Sequence, residues 1–276
     1  MKPKVRTMLR IKMGRLYFTL QRYINWCFGK QKFAEVLERQ LYPAVVFRHQ
    51  TPLLRQLKDV EMWLQHNKVK NLEIAVQRTN GIIVRPGETF SYWRLIGKPT
   101  KRKGFVEGMV LFYGGFRPGI GGGLCQLSNL IYWLTLHTPL TVEERHRHSY
   151  DVFPDANRSQ PFGSGATCFF NYLDLQIKNN TDQAYQLHIY LTKDNLIGEW
   201  RALEIPEHSY EVYEKEHCIT QEYWGGYLRH NTIHRRVYNK LLEMIDDEYV
   251  TENHAIMMYQ PFLTEAASPL RSGSNV

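Results

Sequence analysis

The sequence has no uncharged apolar run long enough to cross a membrane. Residues 8–28 come nearest, and Arg10, Lys12, Arg15 and Arg22 interrupt them well short of the roughly 20 residues a span requires. There is no signal-peptide core followed by a small-residue cleavage site. There is no Cys-x-x-Cys pair either: Cys27, Cys125, Cys168 and Cys218 lie 98, 43 and 50 positions apart. That spacing argues against a disulfide framework and suits a reducing compartment, while leaving two long-range bridges open. The glycines lack the G-x-G-x-x-G spacing with a later acidic residue, which argues against a dinucleotide site. No internal repeat and no cofactor signature is present.

Acidic residues are absent from the first 34 positions, which carry nine Lys or Arg. The net charge of the chain is +8, so removing those nine leaves about −1 for the rest. The basic character belongs to an arm, and a near-neutral body argues against nucleic acid as a partner. At 100° per residue Leu9, Met13, Leu16, Leu20, Tyr23, Ile24 and Cys27 share one face of the arm, with Arg15 and Arg22 opposite. This amphipathic basic helix has two placements. It can lie on the anionic inner leaflet of a membrane, or it can pack against the body with its charges solvated. The expected location is cytoplasmic, and the first placement would put the chain at that leaflet.

What is present reads as an α+β chain: N-terminal helices, a glycine-rich centre carrying one site helix, and a C-terminal antiparallel sheet. Its parts are the arm (1–34), an α+β domain (35–200) and a C-terminal extension (201–276) ending in a frayed Ser/Gly tail. Phe33 to Val46 starts helical and meets Pro43, and Thr51-Pro52 opens a segment in which Leu53, Leu57, Val60 and Leu64 keep a helix period. Asn71 is a fair N-cap for a short helix that Asn80-Gly81 stops. A buried strand Ile82-Ile83-Val84 follows, then the turn Arg85-Pro86-Gly87-Glu88 and the run Phe90 to Trp93. Eight glycines between Gly104 and Gly123 imply tight turns and close backbone approaches. A helix starts near Cys125 and ends near His137, before Pro139. Leu173 to Ile177 and Tyr185 to Leu191 alternate about the turn Asn179-Asn180-Thr181-Asp182, the pattern of an antiparallel hairpin, and Lys193-Asp194-Asn195 turns again. The last seventy or so residues show only fragmentary periodicity.

Gly121-Gly122-Gly123-Leu124-Cys125-Gln126 is the segment with the most chemistry in it. A cysteine at a helix start meets unpaired backbone N–H groups and the positive end of the dipole, which favour the nucleophilic thiolate. Cys125 also projects away from the Leu127, Leu130, Ile131 and Leu134 stripe, together with Asn129 and Tyr132. The alternative is a small buried hydrophobe under a glycine turn. A nucleophile needs a base, and His146 and His148 share a face if their segment is extended, roughly 7 Å apart at ~3.3 Å per residue. Asp151, Asp155 and Asp174 are candidates to orient the imidazole, and Gln126 with the N–H groups from Gly123 onward are candidate oxyanion donors. Gly121, Gly122, Gly123, Glu88, Ser91 and Trp93 would line a cleft with Gln126 and Asn129. Cys125, His146 and His148 could instead hold Zn²⁺, although their spacing matches no standard zinc signature.

Thr79-Asn80-Gly81, Pro86 to Ser91, Gly121 to Gln126, and Glu144-Arg145-His146-Arg147-His148-Ser149 occur in the order and spacing of the VanW family of bacterial proteins. Leu173-Asp174-Leu175 and Lys178 to Thr181 extend the resemblance, which covers about residues 70–200. The overall length and Leu136-His137-Thr138-Pro139-Leu140-Thr141 are most similar to the members of B-type vancomycin-resistance clusters. The resemblance implies a role in glycopeptide resistance and cell-wall metabolism, with a peptidoglycan peptide or precursor as partner. It supplies no reaction. One departure stands out: the family usually has Asp immediately before the Ala-Thr pair, where this chain has Gly165 before Ala166-Thr167. Two functions fit these residues. One is a cysteine-dependent acyl-transfer enzyme, hydrolase or transpeptidase-like, using Cys125 with His146 or His148. The other is a non-catalytic module that binds or scaffolds a peptidoglycan precursor.

Overall fold

A computed structural model describes residues 7–54, 61–112, 114–152 and 160–261. In chain order the helices and strands are α1 (Met8–Phe28), β1 (Lys32–Phe33), β2 (Ala44–Pro52), α2 (Met62–Thr79), β3 (Ile82–Val84), β4 (Glu88–Ser91), α3 (Tyr92–Ile96), β5 (Glu107–Phe112), β6 (Gly115–Ile120), α4 (Cys125–Leu136), β7 (Thr141–Glu144), β8 (Tyr150–Asp151), β9 (Gln176–Lys178), β10 (Tyr185–Leu191), β11 (Asn195–Ala202), β12 (Ser209–Gln221), β13 (Tyr227–Tyr238) and β14 (Met244–Met257). This is the expected α+β class. The described strands form three four-stranded sheets, ordered β1-β4-β9-β7, β2-β11-β10-β3 and β12-β13-β14-β8, and one hairpin, β5-β6.

The core lies where α4 rides over the second sheet. Buried Leu127, Leu130, Ile131 and Leu134 supply the apolar face that the sequence period required. The helix comes close because β11 has Gly198 beneath it: a Cβ there would stand 2.7 Å from Leu134 Cδ1. Trp200, fully buried on the same strand, donates its indole N–H to Thr135 Oγ1 at 3.0 Å, so its one polar atom stays paired. The local punctuation also follows the sequence. Gly81 takes a positive φ of 84° after α2. Glu88 N–H donates to Arg85 O at 2.9 Å around Gly87 at φ 78°, a type II turn with Pro86 and Gly87 at its centre.

Several expectations need correction. Phe33 to Val46 does not start a helix: β1 pairs in parallel with β4, and the nine-residue β2 pairs with β11. Val45, Val46 and Phe47 suit a half-buried strand, and the partner strand decides between that and the weak helical pattern. Thr51-Pro52 ends β2 rather than opening a helix, and Leu57 and Val60 lie outside the described residues. Asn71 is inside α2, not before it; its amide reaches across to the β5-β6 hairpin. The strands about Asn179 to Asp182 do not pair with each other: β9 joins β4 and β7, while β10 joins β11 and β3. Finally, β12, β13 and β14, of 13, 12 and 14 residues, replace the fragmentary ending. Register shifts in both of their pairings blur the period of two in the sequence. The frayed tail lies outside the described residues.

Candidate functional site

The glycine turn before α4 is held by close backbone packing. Gly121 and Gly123 have φ of 76° and 89°, and a Cβ on Gly122 would stand 2.1 Å from the carbonyl carbon of Gly108. Asn71 fixes this approach, donating to Gly122 O at 2.9 Å and Val106 O at 3.1 Å while accepting from Val106 N–H at 2.9 Å. A Cβ on Gly123 would meet Lys68 Cγ at 2.2 Å. The three glycines therefore seat the start of α4 against α2 and the hairpin.

Cys125 is the first residue of α4, half-buried, and its thiol donates to Cys168 O at 3.8 Å. Burial pushes the Cys125 thiol above its ordinary value, and its backbone hydrogen bonds only partly offset that. The thiolate expected from the helix start is therefore not favoured, because desolvation at this site outweighs the dipole. Ser128 Oγ donates to Ala166 O at 2.6 Å and Asn129 Oδ1 accepts from Ala166 N–H at 2.8 Å. These bonds tie the first turns of α4 to the Gly165–Cys168 segment. A Cβ on Gly165 would lie 2.7 Å from Asn129 Oδ1. Gln126 points elsewhere, donating to Thr51 Oγ1 and Pro52 O, both at 2.9 Å.

Asp174 is fully buried and organises a second cluster. Its carboxylate accepts from Ser91 Oγ at 2.6 Å, Trp93 N–H at 3.0 Å and Leu175 N–H at 2.9 Å. Burial raises this carboxyl more than the hydrogen bond from Ser91 lowers it, leaving it at about 6. Trp93 donates its indole N–H to Leu173 O at 2.9 Å. Ser91, Trp93 and Asp174 are thus brought together in a buried cluster. Glu88 stays at the turn, accepting from Arg85 N–H at 3.0 Å.

His146 is oriented by Glu144, not by an aspartate. Its Nε2 lies 2.9 Å from Glu144 Oε1. The same carboxylate accepts both guanidinium nitrogens of Arg22 at 2.5 Å and the Asp174 N–H at 3.0 Å. Burial would raise the Glu144 carboxyl, but the hydrogen bonds from His146 and Arg22 and the charge of Arg22 prevail and hold it at about 2. Neither His146 nor His148 is hydrogen-bonded to Cys125. His148 is partly buried, and burial pushes its imidazole down to about 4, so it is neutral near pH 7. Asp151 is taken by Tyr259 OH at 2.7 Å and Arg229 at 3.5 Å, and Asp155 lies outside the described residues. Among the described residues no group of three or more His, Cys, Asp or Glu could hold a metal ion, so Cys125, His146 and His148 do not form the zinc alternative.

The Glu144 cluster forms one wall of a cavity of about 600 Å³ whose other wall is α1. Arg10, Arg15, Phe18, Gln21, Arg22 and Asn25 line it from the helix, and Glu144, His146, Tyr172 and Leu173 from the body. Arg15 lies over the Tyr172 ring, 5.3 Å from its centroid. The arm is therefore turned with its arginines toward the protein. The helix packs against the body, as the second placement had it, but not through its apolar stripe, which stays exposed; Arg10, Lys12 and Arg15 remain exposed while Arg22 is engaged. Arg22, Glu144 as a site residue and Tyr172 escaped sequence reading, although Glu144 stands two positions before His146. Nothing in the local pattern links a helix residue to a strand end 122 positions later.

The profile of a family described as "VanW like protein" matches residues 67–201. That stretch holds Cys125, Glu144, His146 and Asp174 but not α1 or the β12-β13-β14 strands. The chain is 33% identical over 195 residues to the vancomycin B-type resistance protein VanW of Enterococcus faecalis, covering 71% of each protein. It is 26% identical over 156 residues to the uncharacterized protein YoaR of Bacillus subtilis, covering 54% of this chain and 49% of that one. No solved structure matches it. With a third of the positions shared over more than two thirds of both chains, and with the glycine turn, α4 and the Glu144–His146 segment inside the matched stretch, this protein belongs to the VanW family.

Proposed function

We propose that the protein serves glycopeptide (vancomycin) resistance by binding a peptidoglycan peptide or precursor in the cavity beneath α1, without turnover. The link to resistance rests on the name of the Enterococcus faecalis relative. The observation that carries the binding reading is the cavity lining. Three arginines face one glutamate, and that glutamate is already engaged by Arg22 and His146. Arg10 and Arg15 have no acidic partner among the described residues, while Phe18, Tyr172, Leu173 and Ile11 add apolar wall. A lining of excess guanidinium with apolar and amide surface suits a short peptide bearing carboxylates and methyl side chains. Wall precursors are made on the cytoplasmic side, which is where this reading puts the protein.

Titration of the full-length chain with a wall stem peptide tests this. Saturable binding is expected, weakened roughly tenfold by Arg15→Ala and unchanged by Cys125→Ser. An undetectable interaction, or one abolished by Cys125→Ser alone, removes the reading. Acyl transfer through Cys125 retains one favourable observation, its position as the first residue of α4. Slow covalent capture of a stem peptide at Cys125, seen by intact mass, would put that second reading first.

A further inference from the structure

The arginine side of α1 faces the body, so its apolar side faces out. Leu9 is 71% exposed, Met13 62%, Leu16 67%, Leu20 58% and Ile24 49%. On a helical projection these five fall within about 80° of arc, one continuous stripe along a helix about 30 Å long. Lys12 borders the stripe on one side and Arg10 on the other, and Lys30 and Lys32 follow the helix. No residue of α1 is buried. An apolar row of this length left uncovered on a soluble surface marks an interaction site.

We infer that the outward face of α1 docks on an anionic lipid bilayer, with the helix lying in the plane of the interface. Charge chooses the occupant. Lys12, Lys30 and Lys32 accompany the stripe and residues 1–34 contain no acidic side chain, so a second copy pairing through the same face would bring like charges together. An anionic lipid surface accepts the apolar row into its acyl boundary while its headgroups meet the flanking Lys and Arg. Crossing the bilayer is excluded for α1, since no described helix is long and apolar enough to span. The inference stands whether or not the cavity on the other side of the helix binds a wall peptide. If both hold, that cavity opens within a helix diameter of the membrane surface.

The test is co-sedimentation of the full-length protein with vesicles of phosphatidylcholine alone and of equal parts phosphatidylcholine and phosphatidylglycerol. The protein should pellet with the mixed vesicles at least about tenfold more than with phosphatidylcholine, and added salt should weaken the binding. Leu16→Glu combined with Leu20→Glu alters two exposed side chains and should abolish pelleting without moving the melting temperature. Lys12→Glu should reduce it. Absence of pelleting with mixed vesicles overturns the proposal, as does unchanged pelleting by the double variant. A dimer in solution that the double variant splits, with no vesicle binding, overturns it in favour of a contact between copies.

Discussion

Arg22 of α1 forms a bidentate ion pair with Glu144 at the end of β7, both nitrogen–oxygen distances being 2.5 Å. Together with Trp26, which packs against the core and whose carbonyl accepts from Arg94, the pair joins α1 to the end of the strand just before His146. Arg22→Ala should therefore act locally. The stranded carboxylate loses its strongest partner, at a cost of about 1–3 kcal/mol, and α1 should detach before the core responds. Hydrogen exchange should rise across Met8–Phe28 while β10 and β11 amides keep their protection. Uniform loss of protection would mean that α1 is part of the global folding unit.

Asp174 and Glu144 should shape acid stability in opposite senses. The Asp174 carboxyl sits at about 6 against an ordinary 3.8, so the unfolded chain releases that proton first and stability falls as pH rises between those values. Glu144, at about 2 against 4.5, contributes stability that is complete above 4.5 and lost as pH falls toward 2. Asp174→Asn should flatten the first window, by roughly 3 kcal/mol for a shift of that size. Urea midpoints measured between about pH 4 and about pH 7 check this, and a steeper fall in the variant would reverse the assignment.

Alkylation of Cys125 should need a pH above the ~8.5 midpoint of an ordinary cysteine, since burial raises its thiol. His146→Ala should leave the midpoint in place, because His146 is hydrogen-bonded to Glu144 and not to the sulfur. Measured with Cys27 and Cys218, both exposed, replaced by serine, a midpoint near neutrality that His146→Ala raises would restore the nucleophile reading.

Gly122→Ala should be among the most damaging single substitutions, costing roughly 3 kcal/mol or more. Its Cβ would meet the Gly108 backbone at 2.1 Å, and no side-chain motion relieves that contact. Gly87→Ala, with open space about it, should cost only the strain of its positive φ, about 1 kcal/mol. Similar melting temperatures for the two variants would contradict the close approach.

Gly165→Asp introduces a carboxylate at a position where a Cβ would crowd Asn129 Oδ1 at 2.7 Å. A loss of about 1–2 kcal/mol is expected, because Asn129 must give up its bond from Ala166 N–H. Asn129→Ser in the same chain should recover part of it, and strict additivity in the double-mutant cycle would show that the two sites do not communicate.

The amino-acid sequence by itself determined the features built from near neighbours. Gly81, the Arg85–Glu88 turn, the span of α4 and the two-faced character of α1 each follow from a few residues' backbone freedom or period. Tertiary structure decided what those elements face. An amphipathic pattern says that two sides differ, not which is turned inward; Glu144 and Tyr172 turn the arginine side of α1 toward the body. Alternation marked β9 and β10, but strand partners far away in sequence placed them in different sheets. Glu144, two positions before His146, is tied to α1 by a salt bridge across 122 positions, an interaction with no local periodicity to announce it.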